Sequence, residues 1–183
     1  MDDLRQLADL IKVRNTLDGL MARIVGRPAH MSHVGEYVAS RIFNIKLHES
    51  ASHKGSDGSF RGGPLDGQTV NVKWSGKRQG LVDFNQDAQP DYYLVLTGPK
   101  VAAVSSRGTT SPWVITSVYL FDAHETLAAL RARGTKNIGI ATSVPKALWE
   151  AAEIYPTQRN PLLPLSQEQR EMLALFAGSP TEP

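Results

Sequence analysis

Gly55-Ser56-Asp57-Gly58-Ser59-Phe60, followed after a turn by Thr69-Val70-Asn71-Val72-Lys73-Trp74, is the stretch around which this chain organises itself. The second half alternates as a β-strand does, so Asn71 and Lys73 share one face while Val70, Val72 and Trp74 point to the other, into a core. Between the halves, Pro64-Leu65-Asp66-Gly67 is a turn signature, with Gly supplying positive φ. An acid just upstream of a strand that carries an amide and a lysine is a grouping suited to a divalent cation and a phosphate. Asn71 is the notable member, because a second carboxylate is the expected residue there.

Outward from that strand, apolar spacing predicts a helix over 2–25, with Leu4, Leu7, Ile11, Leu17, Leu20, Met21 and Ile24 near a helical period. Gly26-Arg27-Pro28 ends it. A second helix is expected from Ser32, as N-cap, to Phe43. Strands are expected near 45–48, 57–61 and 69–74, and Asp91–Thr97 is so continuously apolar that it reads as a central strand covered on both faces. Trp113–Phe121 reads as another strand. A helix from Asp122 to Arg133, a strand over 137–142, a helix from Pro145 to near Tyr155 and a last helix from Ser166 to Phe176 complete the order. The expected class is α/β: a mixed central sheet flanked by helices. One domain over 1–183 is expected, with a helical extension at 1–28, a core at 30–155 and a C-terminal helix at 166–177.

Composition narrows the classes. The 183 residues are 41% hydrophobic and 21% charged, ordinary for a globular chain. No apolar run reaches the roughly 18 residues of a membrane span, and the first residues, Met-Asp-Asp-Leu-Arg, hold neither a basic leader nor an apolar signal core. With no cysteine there are no disulfides, thiolate zinc sites or cysteine nucleophiles, which fits the cytoplasm. Net charge is only +2, but between Arg41 and Arg78 seven bases face three acids. That local excess favours a polyanionic ligand. Acids then cluster at Asp83, Asp87 and Asp91.

Metal-assisted phosphodiester hydrolysis needs oxygen ligands for the cation, a group that orients water, and a cation against the developing charge. Asp57 and the backbone carbonyl of Val72 are candidate ligands, Lys73 the phosphate and water contact, and Glu36, on the second helix, an acid that reaches the site through water. His53, Lys54, Lys77 and Arg78 flank the motif as candidate DNA contacts. No zinc-type histidine spacing occurs among His30, His33, His48 and His53. A Gly-x-x-x-x-Gly-Lys-Ser/Thr loop and a Gly-x-Ser-x-Gly elbow are also absent from the sequence. Trp113 and Trp149 read as core. The loops at 107–110 and 158–160 carry Arg and Asn, which pair with base edges.

This layout resembles the PD-(D/E)xK nuclease superfamily, which includes many restriction endonucleases. The resemblance rests on Glu36, Asp57 and Asn71-Val72-Lys73 and covers roughly residues 30–100. It implies a restriction-endonuclease-like core with Asp57 as metal ligand, Lys73 at the attacking water and Glu36 as auxiliary acid. Asn71 stands where the family usually has Glu or Asp, although a minority of its restriction enzymes carry Asn or Gln there and still cleave. The implied function is a Mg²⁺-dependent DNA endonuclease, of restriction or defence type, with Mn²⁺ as a substitute metal. The implied partner is double-stranded DNA, no membrane is involved, and a homodimer is left open. The competing readings are a nuclease-fold protein that binds DNA without cutting it and a protein-interaction module. A neutral amide holds a hard cation less strongly than a carboxylate, so one metal is expected rather than two.

Overall fold

The computed structural model describes residues 2–49, 54–85, 87–100 and 112–178. In chain order they form α1 (Asp2–Val25), α2 (Met31–Ile42), β1 (Ile45–Leu47), β2 (Gly58–Phe60) and a short 3-10 turn at Gly63–Leu65. Then come β3 (Thr69–Ser75), β4 (Leu81–Val82), β5 (Tyr92–Thr97), β6 (Ser117–Asp122) and α3 (Ala123–Ala132). β7 (Thr142–Ser143), α4 (Lys146–Ala152), β8 (Glu153–Tyr155) and α5 (Gln167–Ala174) complete the order.

Six strands make one mixed sheet in the order β1-β2-β3-β5-β6-β8, in which β3 and β5 run parallel and the other pairs antiparallel. β4 and β7 form a separate antiparallel pair. Side-chain alternation divides the core in two. Val70, Val72, Leu94, Leu96, Val118 and Leu120 lie under α2 and α5, where Val38, Ala39, Ile42 and Leu173 join them. Tyr93, Val95, Tyr119 and Phe121 on the other face meet Leu127, Leu130 and Trp149 of α3 and α4. Asn71 is in register with Tyr93 and Lys73 with Val95, so the motif's polar pair shares the second face and its valines the first, as the alternation predicts. β5 is buried from Tyr93 to Thr97, as expected of a central strand.

Several boundaries differ from expectation. The N-cap of α2 is His30, with no side-chain cap bond, rather than Ser32; the first helical bond runs from the Val34 N–H to the His30 carbonyl. The strand expected at 113–121 begins only at Ser117, because its ladder partner β5 ends at Thr97. Residues 137–141 are not a strand: Ala141 has φ +53° and Thr142 Oγ1 bonds back to Gly139, which closes the segment into a turn. The helix after Pro145 stops at Ala152, and Glu153–Tyr155 adds instead to the edge of the sheet against β6. By contrast Asp122 caps α3 by accepting the Glu125 N–H, and Ser166 with Gln169 forms a capping box on α5. Among the described residues no helix is long and apolar enough to cross a membrane.

Candidate active site

The site arises where β2 leaves β3. Gly58 pairs with Val70 and Ser59 with Thr69, and beyond that point this edge of β3 has no neighbouring strand, while the opposite edge stays bonded to β5 through Ser75. An N–H on such an edge needs a partner. Asp57 supplies one: its backbone N–H donates to the Val70 carbonyl at 2.9 Å, and its carboxylate accepts the Val72 N–H at 2.7 Å. The ladder therefore ends in a carboxylate. A strand residue sends its N–H and C=O to the same edge, so the Val72 carbonyl emerges beside Asp57.

A cavity of about 470 Å³ opens here, and Asp57, Val72, Lys73, Glu36, Ser32 and Asp83 are among the residues that line it. A second, of about 520 Å³, lies on the other side of Lys73 and Asp83, with Asn85, Asp87 and Gly139 in its wall. Lys73 and Asp83 thus border both. Asp83 also accepts the Ala141 N–H at 2.6 Å, which ties the β4 segment to the turn before β7.

Burial is the main cause that pushes the Asp57 carboxyl above its ordinary value of 3.8. The Val72 N–H opposes it, the Glu36 charge adds to it, and the positive charges of Lys73 and Arg27 oppose it. Glu36, with a side chain 13% exposed, is held at 2.5 Å by Arg27. Asp57 and Glu36 are thus close enough to repel, and the charges of Lys73 and Arg27 offset that repulsion.

Asn71 occupies a different place. It does not line either cavity; its Nδ2 donates to the Gly55 carbonyl at 3.3 Å, which fastens the loop leading into Asp57. Its Oδ1 is buried and meets no donor, an unmatched acceptor of the kind a bound water or cation satisfies. Lys54 is exposed and Lys77 half-buried. Arg78 turns inward: its guanidinium donates to the Tyr119 hydroxyl at 2.6 Å and lies 5.5 Å from the ring centres of Tyr119 and Trp149. Cation–π attraction holds it against the second core. His53 and the loop at 107–110 lie outside the described residues.

The loop at 158–160, read as a candidate for base edges, is internally committed. Asn160 is buried and bonds the Leu120 carbonyl and the Leu162 N–H, Gln158 bonds the Leu163 carbonyl and the Leu165 N–H, and Arg159 pairs with Glu153. Trp149 is core as expected, and Trp113 lies partly buried against Trp74. Two site residues went unassigned in the sequence, Arg27 and Asp83. The acid cluster at 83–91 was the available signal for Asp83; Arg27 was legible only as part of a helix stop.

Among the described residues no three His, Asp or Glu side chains converge closely enough to hold a metal by themselves. The donors present nonetheless suit Mg²⁺, which keeps several waters and takes only one or two carboxylates from a protein. They are Asp57 with the Val72 carbonyl and, on the wall of the same cavity, the carboxylates of Glu36 and Asp83; the unmatched Asn71 acceptor lies outside that cavity. In comparisons with known proteins, no family model and no curated protein matches this chain.

Proposed function

We propose that this protein is a Mg²⁺-dependent endonuclease that hydrolyses phosphodiester bonds in DNA from a restriction-endonuclease-like core. One juxtaposition carries the reading: Asp57, Lys73, Glu36 and Asp83, drawn from four separate segments, line one cavity at the open edge of β3. A structural Asx role for Asp57 would need no lysine or second acid beside it.

When bound, Mg²⁺ supplies the Lewis acid for the phosphate oxygens and a more acidic water. Asp57 and the Val72 carbonyl are the residues that would hold it, and Asp83, on the same cavity, would supply the negative charge that Asn71 lacks. The Lys73 ammonium donates to a non-bridging phosphate oxygen and orients the incoming water. That water's oxygen bonds to phosphorus and releases one proton to solvent, one P–O ester bond breaks, and the leaving oxygen takes up one proton from solvent, so that no net proton is gained or lost. Glu36, fixed by Arg27, accepts a hydrogen bond from water at the cavity wall. Asn71 acts as a positioning residue through the Gly55 carbonyl. Lys54 and Lys77 carry the phosphate backbone past the cavity.

The test is cleavage of plasmid DNA by the purified protein with Mg²⁺ or Mn²⁺. Asp57→Ala and Lys73→Ala should each lower the rate by about 10²–10³-fold, the scale of losing one group that acts on developing charge, with an unchanged circular dichroism spectrum. No cleavage of any of several DNAs with either metal removes the enzymatic reading. The neutral Asn71 favours one second reading, a protein that binds DNA without cutting it. Binding that needs no metal and weakens steeply with salt would establish it.

A further inference from the structure

α1 is an amphipathic helix whose apolar stripe is, among the described residues, mostly uncovered. Eight of its aliphatic side chains, Leu4, Leu7, Leu10, Ile11, Val13, Leu17, Leu20 and Ile24, are 45–71% exposed. Only Asp18, Met21, Ala22 and Val25 are partly covered. Leu10, Val13, Leu17, Leu20 and Ile24 recur at alternating steps of three and four, the seam of a two-helix coiled coil. We propose that this seam is a dimerisation surface and that its occupant is α1 of a second copy of this chain, packed antiparallel about a two-fold axis near Asn15.

Charge and size select that occupant. With the axis at Asn15, Leu10 meets Leu20 of the second copy and Val13 meets its Leu17, each contact occurring twice, as an isologous interface requires. On one flank Asp9 faces Arg23 of the second copy, again twice. On the other flank Leu7 faces Met21. Arg14 faces its own counterpart, but each is already paired with Asp18 at 3.5 Å. A parallel pair would instead stack Asp3 on Asp3 within the seam. In area, the five seam side chains and Leu7, at about 100 Å² each, offer about 600 Å² per copy, about 1,200 Å² in all, the lower bound of a standard interface.

Light scattering of the purified full chain, without DNA or metal, tests the proposal independently of the nuclease reading. The wild type should have twice the mass of one chain. Leu17→Glu/Leu20→Glu should halve it with no change in thermal unfolding of the core, while Asn15→Glu, on the opposite face, should leave the dimer intact. Asp9→Arg should weaken dimerisation about tenfold, since two surface attractions become repulsions, and adding Arg23→Asp should restore it. The chain has no cysteine, so Thr16→Cys with a short bis-maleimide gives a clean readout. In the antiparallel pair the two thiols adjoin across the axis and cross-link; in a parallel pair they lie on opposite flanks and do not. A wild-type monomer, a dimer that survives Leu17→Glu/Leu20→Glu, or no cross-link overturns the proposal. A monomer that sediments with phosphatidylglycerol vesicles overturns it in favour of a lipid surface.

Discussion

Asp57 shows how one carboxylate serves the sheet and the cavity at once. It completes the bonding of β3 by accepting the Val72 N–H, and the burial this entails makes its ionised form costly, which raises its pKa above 3.8. For a carboxyl raised on folding, the native state binds more protons than the unfolded chain between the two pKa values, so stability falls as pH climbs through that window. Below 3.8 the effect vanishes, and above the native pKa it is present in full. Asp57→Asn keeps an acceptor for the Val72 N–H and removes the charge. It should therefore melt at a higher temperature than wild type at pH 7, with the difference closing as pH drops below 3.8. Added Mg²⁺ should narrow the gap at pH 7 by stabilising the wild type alone. A variant less stable than wild type at pH 7 would show that the charge is well compensated in the native state. Asp57 and Lys73 were legible in the sequence because a period of two and a turn are local signals. Asp83 and Arg27 were not, because their approach to Asp57 depends on where two loops and a helix dock.

At the scale of elements, the cavity depends on α2 lying close over β3. Gly35 makes that approach: a Cβ there would stand 3.0 Å from Trp74 Cβ and 3.3 Å from its ring. Gly35→Val forces the helix off the strand and should destabilise the fold by about 1–3 kcal/mol, the range for overfilling a packed contact, measured by urea unfolding. It should also lower cleavage out of proportion to stability, since Glu36 moves with the helix. The helices α1, α3 and α5 were readable from period and caps. β8 was not, because Glu153-Ile154-Tyr155 follows a helical pattern without a break, and only the vacant edge of β6 draws it into the sheet. The expected strand at 137–142 failed for a different reason: Gly139 to Thr142 closes into a turn, and only Thr142–Ser143 pairs, with β4.

For the whole molecule, the proposed two-fold pairing through α1 bears on the proposed chemistry. The strands of duplex DNA are themselves related by two-fold axes, so a dimer presents one site to each strand. With limiting enzyme, the wild type should convert supercoiled plasmid to linear DNA with little nicked intermediate. Leu17→Glu/Leu20→Glu should accumulate nicked circles at a comparable first-cut rate. Linear product formed equally fast by that variant would separate dimerisation from double-strand cutting. An amphipathic period is visible in any sequence, yet whether its stripe is covered by the same chain is a property of the packed molecule. In α1 most of it is left bare by the described residues.

By itself the sequence determined the α/β class, the central place of 91–97, the opposite orientations of Val72 and Lys73, and the pairing of Asp57 with Lys73 as a candidate site. Each follows from local periodicity, capping or turn chemistry, which act over a few residues. Only the tertiary structure decided that Asn71 serves the Gly55 loop, that Arg78 turns into the aromatic core, that Asp83 joins the cavity and that α1 keeps its apolar face outward. Those outcomes depend on which distant segments compete for the same buried space and the same unpaired backbone groups, and no local pattern records that competition.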